Sequence, residues 1–182
     1  MAGEVKRRPA SVFLTGFMGS GKTEVGRALA QQLHWELVDL DHRIEEKGRP
    51  IHEIFVAEGE AAFRSLENAS LRELLQETSG HRVVALGGGT FCQQANTTLL
   101  RSARQPVVFL DAPVEELWRR CQSHRGGAVR PLLQDRNQFN RLYQQRQPYY
   151  AAADLTVQTL EKSAAGAAQE IAEWLRNSHF LN

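Results

Sequence analysis

The chain has 182 residues, enough for one domain with a full hydrophobic core but not for two. Its 22 basic and 21 acidic side chains leave a formal charge of +1, which argues against a broad charged face for nucleic acid or an anionic membrane. Two cysteines, Cys92 and Cys121, lie far apart and six histidines are scattered, so neither a disulfide framework nor a zinc-ligand spacing is present.

Met1 to Pro9 is polar and basic without an apolar stretch, so it does not read as a secretory signal, and no apolar run approaches the ~20 residues of a membrane span. A reducing, cytoplasmic setting is expected. Ser11–Thr15 reads as the first strand and Thr23–Leu33 as an amphipathic helix. Between them runs Gly16-Phe17-Met18-Gly19-Ser20-Gly21-Lys22-Thr23, a G-x-x-x-x-G-K-T pattern in the strand–loop–helix setting that nucleotide binding needs. The glycines let the backbone wrap a phosphate without Cβ clashes. Loop N–H groups and the helix N-terminus present partial positive charge to it. Lys22 is expected to reach the β- and γ-phosphates, and the Thr23 hydroxyl to ligate Mg²⁺.

The second strand is predicted over Glu36–Leu40, so Asp39 and Asp41 fall at its carboxyl end, near the phosphate loop. One carboxylate can hold Mg²⁺ through water while the other orients or deprotonates an attacking hydroxyl. The structural alternative makes Asp41 the cap of a helix beginning at His42 and Asp39 a solvated loop residue. Helical patterns over Ile51–Ala57 and Glu60–Glu77 meet at Gly59, with Phe55 and Phe63 expected in the core. Arg64 reads equally well as a helix-surface partner of Glu60 or Glu67 and as a bidentate clamp on an anionic substrate.

The third strand, Arg82–Leu86, ends in Gly87-Gly88-Gly89. Three glycines there predict close approach of a ligand to the backbone. A helix over Gln94–Ala103 leads to a fourth strand, Pro106–Asp111, whose continuous Val107-Val108-Phe109-Leu110 run suits a strand covered on both faces. After a helix over Val114–His124, the paired glycines of Arg125-Gly126-Gly127-Ala128-Val129-Arg130 suit a mobile lid carrying arginines. A helix over Arg136–Gln147 carries Arg146, just before Pro148. A fifth strand, Asp154–Val157, and a last helix, Leu160–Asn177, complete a strand–helix alternation that predicts a doubly wound α/β domain.

Taken in order, G-x-x-G-S-G-K-T, D-x-D, F-x-x-x-G-E-x-x-F-R, L-G-G-G, R-P-L-L and R-x-P-x-Y resemble the shikimate kinase family from about Ser11 to about Val157. The resemblance implies a nucleoside-monophosphate-kinase-like P-loop fold with a five-stranded parallel sheet ordered 2-3-1-4-5. It implies a single kinase domain over residues 1–182, with a substrate-binding region near 41–70 and a short lid near 122–133. It also implies an ATP-dependent phosphotransferase with an alcohol acceptor, phosphorylating the 3-hydroxyl of shikimate on the way to chorismate and the aromatic amino acids.

Carried over by position, Gly19, Ser20, Gly21, Lys22 and Thr23 bind ATP, with Thr23 on Mg²⁺ and Asp39 near it through water. Asp41 holds ring hydroxyls and accepts the proton. Arg64 and Arg146 grip the carboxylate, and Gly88 offers its N–H to a substrate hydroxyl. Arg130 reaches the ATP phosphates from the lid, and Arg125 lies near the adenine. The resemblance further implies a monomer with no nucleic-acid or membrane partner. A gluconate kinase and a nucleotide-binding regulatory module without catalysis are the alternatives.

Overall fold

The computed structural model describes residues 11–78, 80–123 and 135–178. Arg125 and Arg130, and with them most of the expected lid, lie outside the described residues.

Strands β1 (Ser11–Thr15), β2 (Glu36–Asp39), β3 (Arg82–Ala85), β4 (Val107–Asp111) and β5 (Leu155–Gln158) form one parallel sheet ordered β2-β3-β1-β4-β5. The order and direction are those the resemblance implied. Alternate residues feed two cores, because successive strand side chains point to opposite faces. Phe13, Val84 and Phe109 enter one, while Val12, Leu14, Val83, Val108 and Leu110 enter the other. Both faces are therefore apolar, which explains the uninterrupted hydrophobic runs of β1, β3 and β4.

One face is covered by α1 (Lys22–Leu33) and α7 (Ala164–Asn177), through Val25, Leu29, Ile171 and Leu175. The other carries α2 (Leu40–Glu46), α3 (Ile51–Gln76), α4 (Gln94–Ser102), α5 (Val114–Ser123) and α6 (Arg136–Tyr150), through residues such as Ile44, Leu71, Leu100, Leu117 and Phe139. Since all strands run in parallel, the segments that follow β1, β2, β3 and β4 emerge at one edge. That edge receives the phosphate loop, Asp41, the glycine triplet and the start of α5.

Three expectations need correction. Asp39, not Asp41, caps a helix here: its Oδ1 accepts from the N–H groups of Asp41 (3.1 Å) and His42 (3.3 Å), so α2 begins inside the predicted strand end. The break expected at Gly59 is there: within the α3 span the backbone leaves helical geometry at φ 82° and ψ 176°, so two helical segments meet at that residue. An L-residue rarely adopts that conformation, which is why the break falls on the glycine. Phe63 is buried, but Phe55 keeps 38% of its surface exposed and only leans on Phe63 across 4.9 Å. Finally, α7 starts at Ala164 rather than Leu160. Glu161 turns the chain at φ 60°, and the Ser163 hydroxyl accepts from Gly166 N–H at 3.1 Å to cap the helix.

Ion pairs tie the α2–α3 unit to the sheet. Arg43 pairs with Glu77 and Lys47 with Glu73, while the buried Arg82 reaches Glu77 (2.9 Å) and Glu36 (3.2 Å). The α3 end nearest β3 is thereby fixed, whereas among the described residues its first half, before Gly59, has no such anchor to the sheet.

Candidate active site

The loop between β1 and α1 owes its path to glycine. Gly19 and Gly21 sit at φ 79° and 92°, a region glycine enters at little cost. A Cβ at Gly19 would lie 2.7 Å from the Leu117 carbonyl of α5, and one at Gly16 would lie 2.5 Å from that of Leu110. The loop is thus pressed onto β4 and α5. The N–H groups of Gly19, Gly21 and Thr23 have no acceptor among the described residues. They are the donors that an anion at the α1 N-terminus would meet. Lys22 Nζ donates to the carbonyls of Gly16 (2.8 Å) and Phe17 (3.0 Å), which holds its ammonium across the loop.

Asp39 serves two purposes. One oxygen caps α2, and the other, Oδ2, accepts from the Thr23 hydroxyl at 3.4 Å. Two residues on, the first turn of α2 carries Asp41 inward, where its Oδ1 is buried without a hydrogen-bond partner among the described residues. Burial, and then the charges of Asp39 and Glu67, push the Asp41 carboxyl up to about 6, while Lys22 opposes the shift.

The glycine triplet is the surface on which the remaining groups converge. A Cβ at Gly87 would lie 2.6 Å from Asp41 Oδ1 and 3.1 Å from Glu67 Oε1; one at Gly89 would lie 2.7 Å from the Arg64 guanidinium; one at Gly88 would lie 3.5 Å from Arg146. At Gly87 and Gly89 a side chain would displace the groups of the pocket, whereas at Gly88 a Cβ would meet ordinary contacts. Gly87 carbonyl accepts from Thr90 N–H at 3.1 Å, and Gly88 carbonyl accepts from the Tyr150 hydroxyl at 2.5 Å.

The ion-pair reading of Arg64 holds, and the side chain also lies against the glycine triplet. Its guanidinium binds Glu60 (3.0 Å) and Glu67 (3.0 Å), yet its side chain is only 17% exposed and lies against Gly89. Glu67, one helical turn on, is wholly buried and also accepts from the Thr90 hydroxyl at 2.5 Å. Arg146 reaches the pocket from α6, with its guanidinium 5.8 Å from the Phe17 ring centre.

The structure thus brings together Gly19, Ser20, Gly21, Lys22, Thr23, Asp39, Asp41, Arg64, Gly88 and Arg146. It adds groups the sequence did not single out. Glu67 sits three residues after Arg64, and its helical spacing was a usable signal for pairing but not for burial. Arg120 reaches from α5 to the Gly19 carbonyl (3.4 Å) and to Thr159 through its carbonyl (2.9 Å) and hydroxyl (3.0 Å). It thereby ties the phosphate loop to the end of β5. Nothing in its local sequence, Trp118-Arg119-Arg120, marks it apart from Arg119: both pair with Glu116, and among the described residues the Arg119 side chain has no other partner.

A nucleotide loop after the central strand of a 2-3-1-4-5 parallel sheet, facing a pocket of paired arginines and a buried carboxylate, defines a P-loop kinase for small acidic molecules. A protein-family model described as "Shikimate kinase" matches residues 18–176. The shikimate kinase of Moorella thermoacetica is 41% identical over 171 residues, covering 92% of this chain and 95% of that protein. That of Parasynechococcus marenigrum is 44% identical over 169 residues, covering 91% and 85%. Among solved structures, the shikimate kinase from Acinetobacter baumannii in complex with shikimate superposes with a TM-score of 0.81 at 35% identity, covering 96% of each chain. The chain belongs to the shikimate kinase family.

Proposed function

We propose that the chain transfers the γ-phosphoryl group of ATP to the 3-hydroxyl of shikimate, giving shikimate 3-phosphate. The observation that carries this is the convergence of Arg64, Arg146 and Asp41 on one glycine triplet beside the phosphate loop. A cyclic carboxylate bearing several hydroxyls needs that set: planar donors for the acid, a carboxylate and backbone N–H for the hydroxyls, and a nearby phosphoryl donor.

In this reading Gly19 to Thr23 bind the phosphates, and Lys22 neutralises charge as the phosphoryl group moves. Asp41 lies in position to orient the acceptor hydroxyl and take its proton. Thr23 Oγ1 and Asp39 Oδ2, two hard oxygens 3.4 Å apart, fit the few protein ligands that Mg²⁺ takes when phosphates and water complete its shell. The ion would neutralise charge on the phosphate oxygens. Arg130 and Arg125 belong to the same reading as lid groups over ATP. Among the described residues no helix is long and apolar enough to cross a membrane. A monomer acting in the cytoplasm completes the proposal.

A coupled assay of ADP release, with shikimate, gluconate and nucleoside monophosphates as acceptors, tests it. Turnover confined to shikimate is expected. Turnover with gluconate instead would overturn the acceptor, and ATP binding without any turnover would favour a regulatory module.

Two variants probe the pocket. Arg64→Ala is expected to raise the shikimate KM by about tenfold to a hundredfold, with the ATP KM little changed. It should also lower Tm, because Glu67 is then left charged in a buried place without its cation. An unchanged shikimate KM would remove Arg64 from the substrate. Gly87→Ala places a methyl group 2.6 Å from Asp41 Oδ1, so the carboxylate must move. Steady-state kinetics should then show a lower kcat and a higher shikimate KM, whereas wild-type kinetics would mean that Asp41 does not need its present position.

A further inference from the structure

The R-x-P-x-Y motif is only half explained by Arg146, since its tyrosine touches no expected ligand. Tyr150 lies one helical turn after Arg146 on α6, at 0% exposure, with its ring stacked on Phe109 of the central sheet at 5.0 Å. Its hydroxyl donates to the Gly88 carbonyl at 2.5 Å, and a Cβ at Gly88 would lie 3.5 Å from the Arg146 guanidinium.

The consequence follows from peptide geometry. In a trans peptide the C=O and the following N–H point in opposite directions. Tyr150 holds the Gly88 carbonyl toward α6, so the N–H of Gly89 points to the opposite side. The Thr90 N–H holds the Gly87 carbonyl within a local turn, so the N–H of Gly88 points away from that turn. Neither of these two N–H groups has an acceptor among the described residues. Three consecutive glycines would otherwise be the least constrained segment of the pocket. Two carbonyl contacts, one of them from Tyr150, leave these two peptide planes little freedom.

We propose that Tyr150 is a positioning residue for substrate: its hydroxyl fixes the Gly88–Gly89 peptide plane beside Arg146, one helical turn earlier on the same helix, so that backbone donors and guanidinium meet the acidic polyol as one preset unit. The role rests on the shikimate reading above. Preorganisation of this kind improves affinity by removing an ordering cost at the moment of binding. It leaves the phosphate loop untouched.

Tyr150→Phe keeps the ring on Phe109 and deletes only the hydroxyl. Its shikimate KM and calorimetric Kd are expected to rise about tenfold, the size of one lost buried hydrogen bond, with the ATP KM within about twofold. Phe109→Leu, which thins the same stack without touching the hydroxyl, is expected to keep shikimate affinity near wild type. Binding of shikimate analogues lacking one ring hydroxyl or the carboxylate should show the gap between wild type and Tyr150→Phe closing for at least one of them, as coupling through a shared contact requires. Unchanged shikimate affinity in Tyr150→Phe overturns the role, as do equal losses for ATP and shikimate. An equal loss in Phe109→Leu, or a gap of the same size for every analogue, also overturns it, since either would mean general loosening. Wild-type protein that fails to use shikimate at all would remove the reading beneath it, and the wild-type arm reports that separately.

Discussion

Lys22→Ala is expected to lower kcat by about a thousandfold, with Tm little changed. The ammonium bridges two loop carbonyls, Gly16 and Phe17, at 2.8 and 3.0 Å, on the side of the loop that faces the α1 N-terminus. As a phosphoryl group departs, charge builds on the oxygens that this group would neutralise, and no backbone donor can replace a full positive charge. A second effect ties the lysine to the acceptor side. Lys22 is the group that holds the Asp41 carboxyl down against burial and the charges of Asp39 and Glu67. Its removal should therefore move the acid limb of the residual kcat/KM profile to higher pH than in the wild type. Near-normal kcat, or a residual profile with an unshifted limb, would count against this placement.

The second large effect belongs to Asp41→Asn. Asp41 titrates at about 6 in the folded chain against 3.8 as its ordinary value, and kcat/KM reports the free enzyme's essential groups. Wild-type kcat/KM is expected to rise through about pH 6 as the carboxylate forms, and the variant should lose that limb together with about two to three orders of magnitude in kcat. A variant that raised only the shikimate KM would make Asp41 a positioning group and not the proton acceptor.

The same substitution has a stability signature of opposite sign. Because the folded chain binds this proton more tightly than the unfolded one, ionisation of Asp41 weighs against the fold. The penalty is absent below 3.8, grows up to about 6 and is complete above it. Asp41→Asn should thus stabilise the protein at pH 8 by on the order of 2 kcal/mol and have little effect at pH 4, read as denaturation midpoints. A half-buried carboxylate whose Oδ1 finds no partner among the described residues, and which costs stability, is what an active site retains for its chemistry.

The phosphate loop shows why some features could be read directly. Gly19, Gly21, Lys22 and Thr23 act through backbone conformation and local reach, so eight consecutive letters carry most of the physics. The strands of the central sheet were equally open to reading, because burial on both faces removes the polar alternation from β1, β3 and β4. Boundaries shifted where a side chain intervened: Asp39 ended β2 by capping α2, and Ser163 delayed α7. Gly59 was read as a break between two helical segments, and the backbone does leave helical geometry there, at φ 82° and ψ 176°, a conformation glycine reaches at little cost.

What the sequence by itself determined was the alternation of elements, the nucleotide loop and, through the order of its motifs, the family. Only the tertiary structure decided which face Arg64 presents, that Glu67 is buried behind it, that Arg120 rather than Arg119 reaches the loop, and that Tyr150 grips Gly88. The first group depends on neighbours within a few residues, or on a repeating pattern of burial. The second depends on contacts across 23 residues for Thr90 and Glu67, 62 for Tyr150 and Gly88, and 101 for Arg120 and Gly19. Identical residue types can fill such contacts or face water, and the packing of α3, α5 and α6 against the sheet makes the choice.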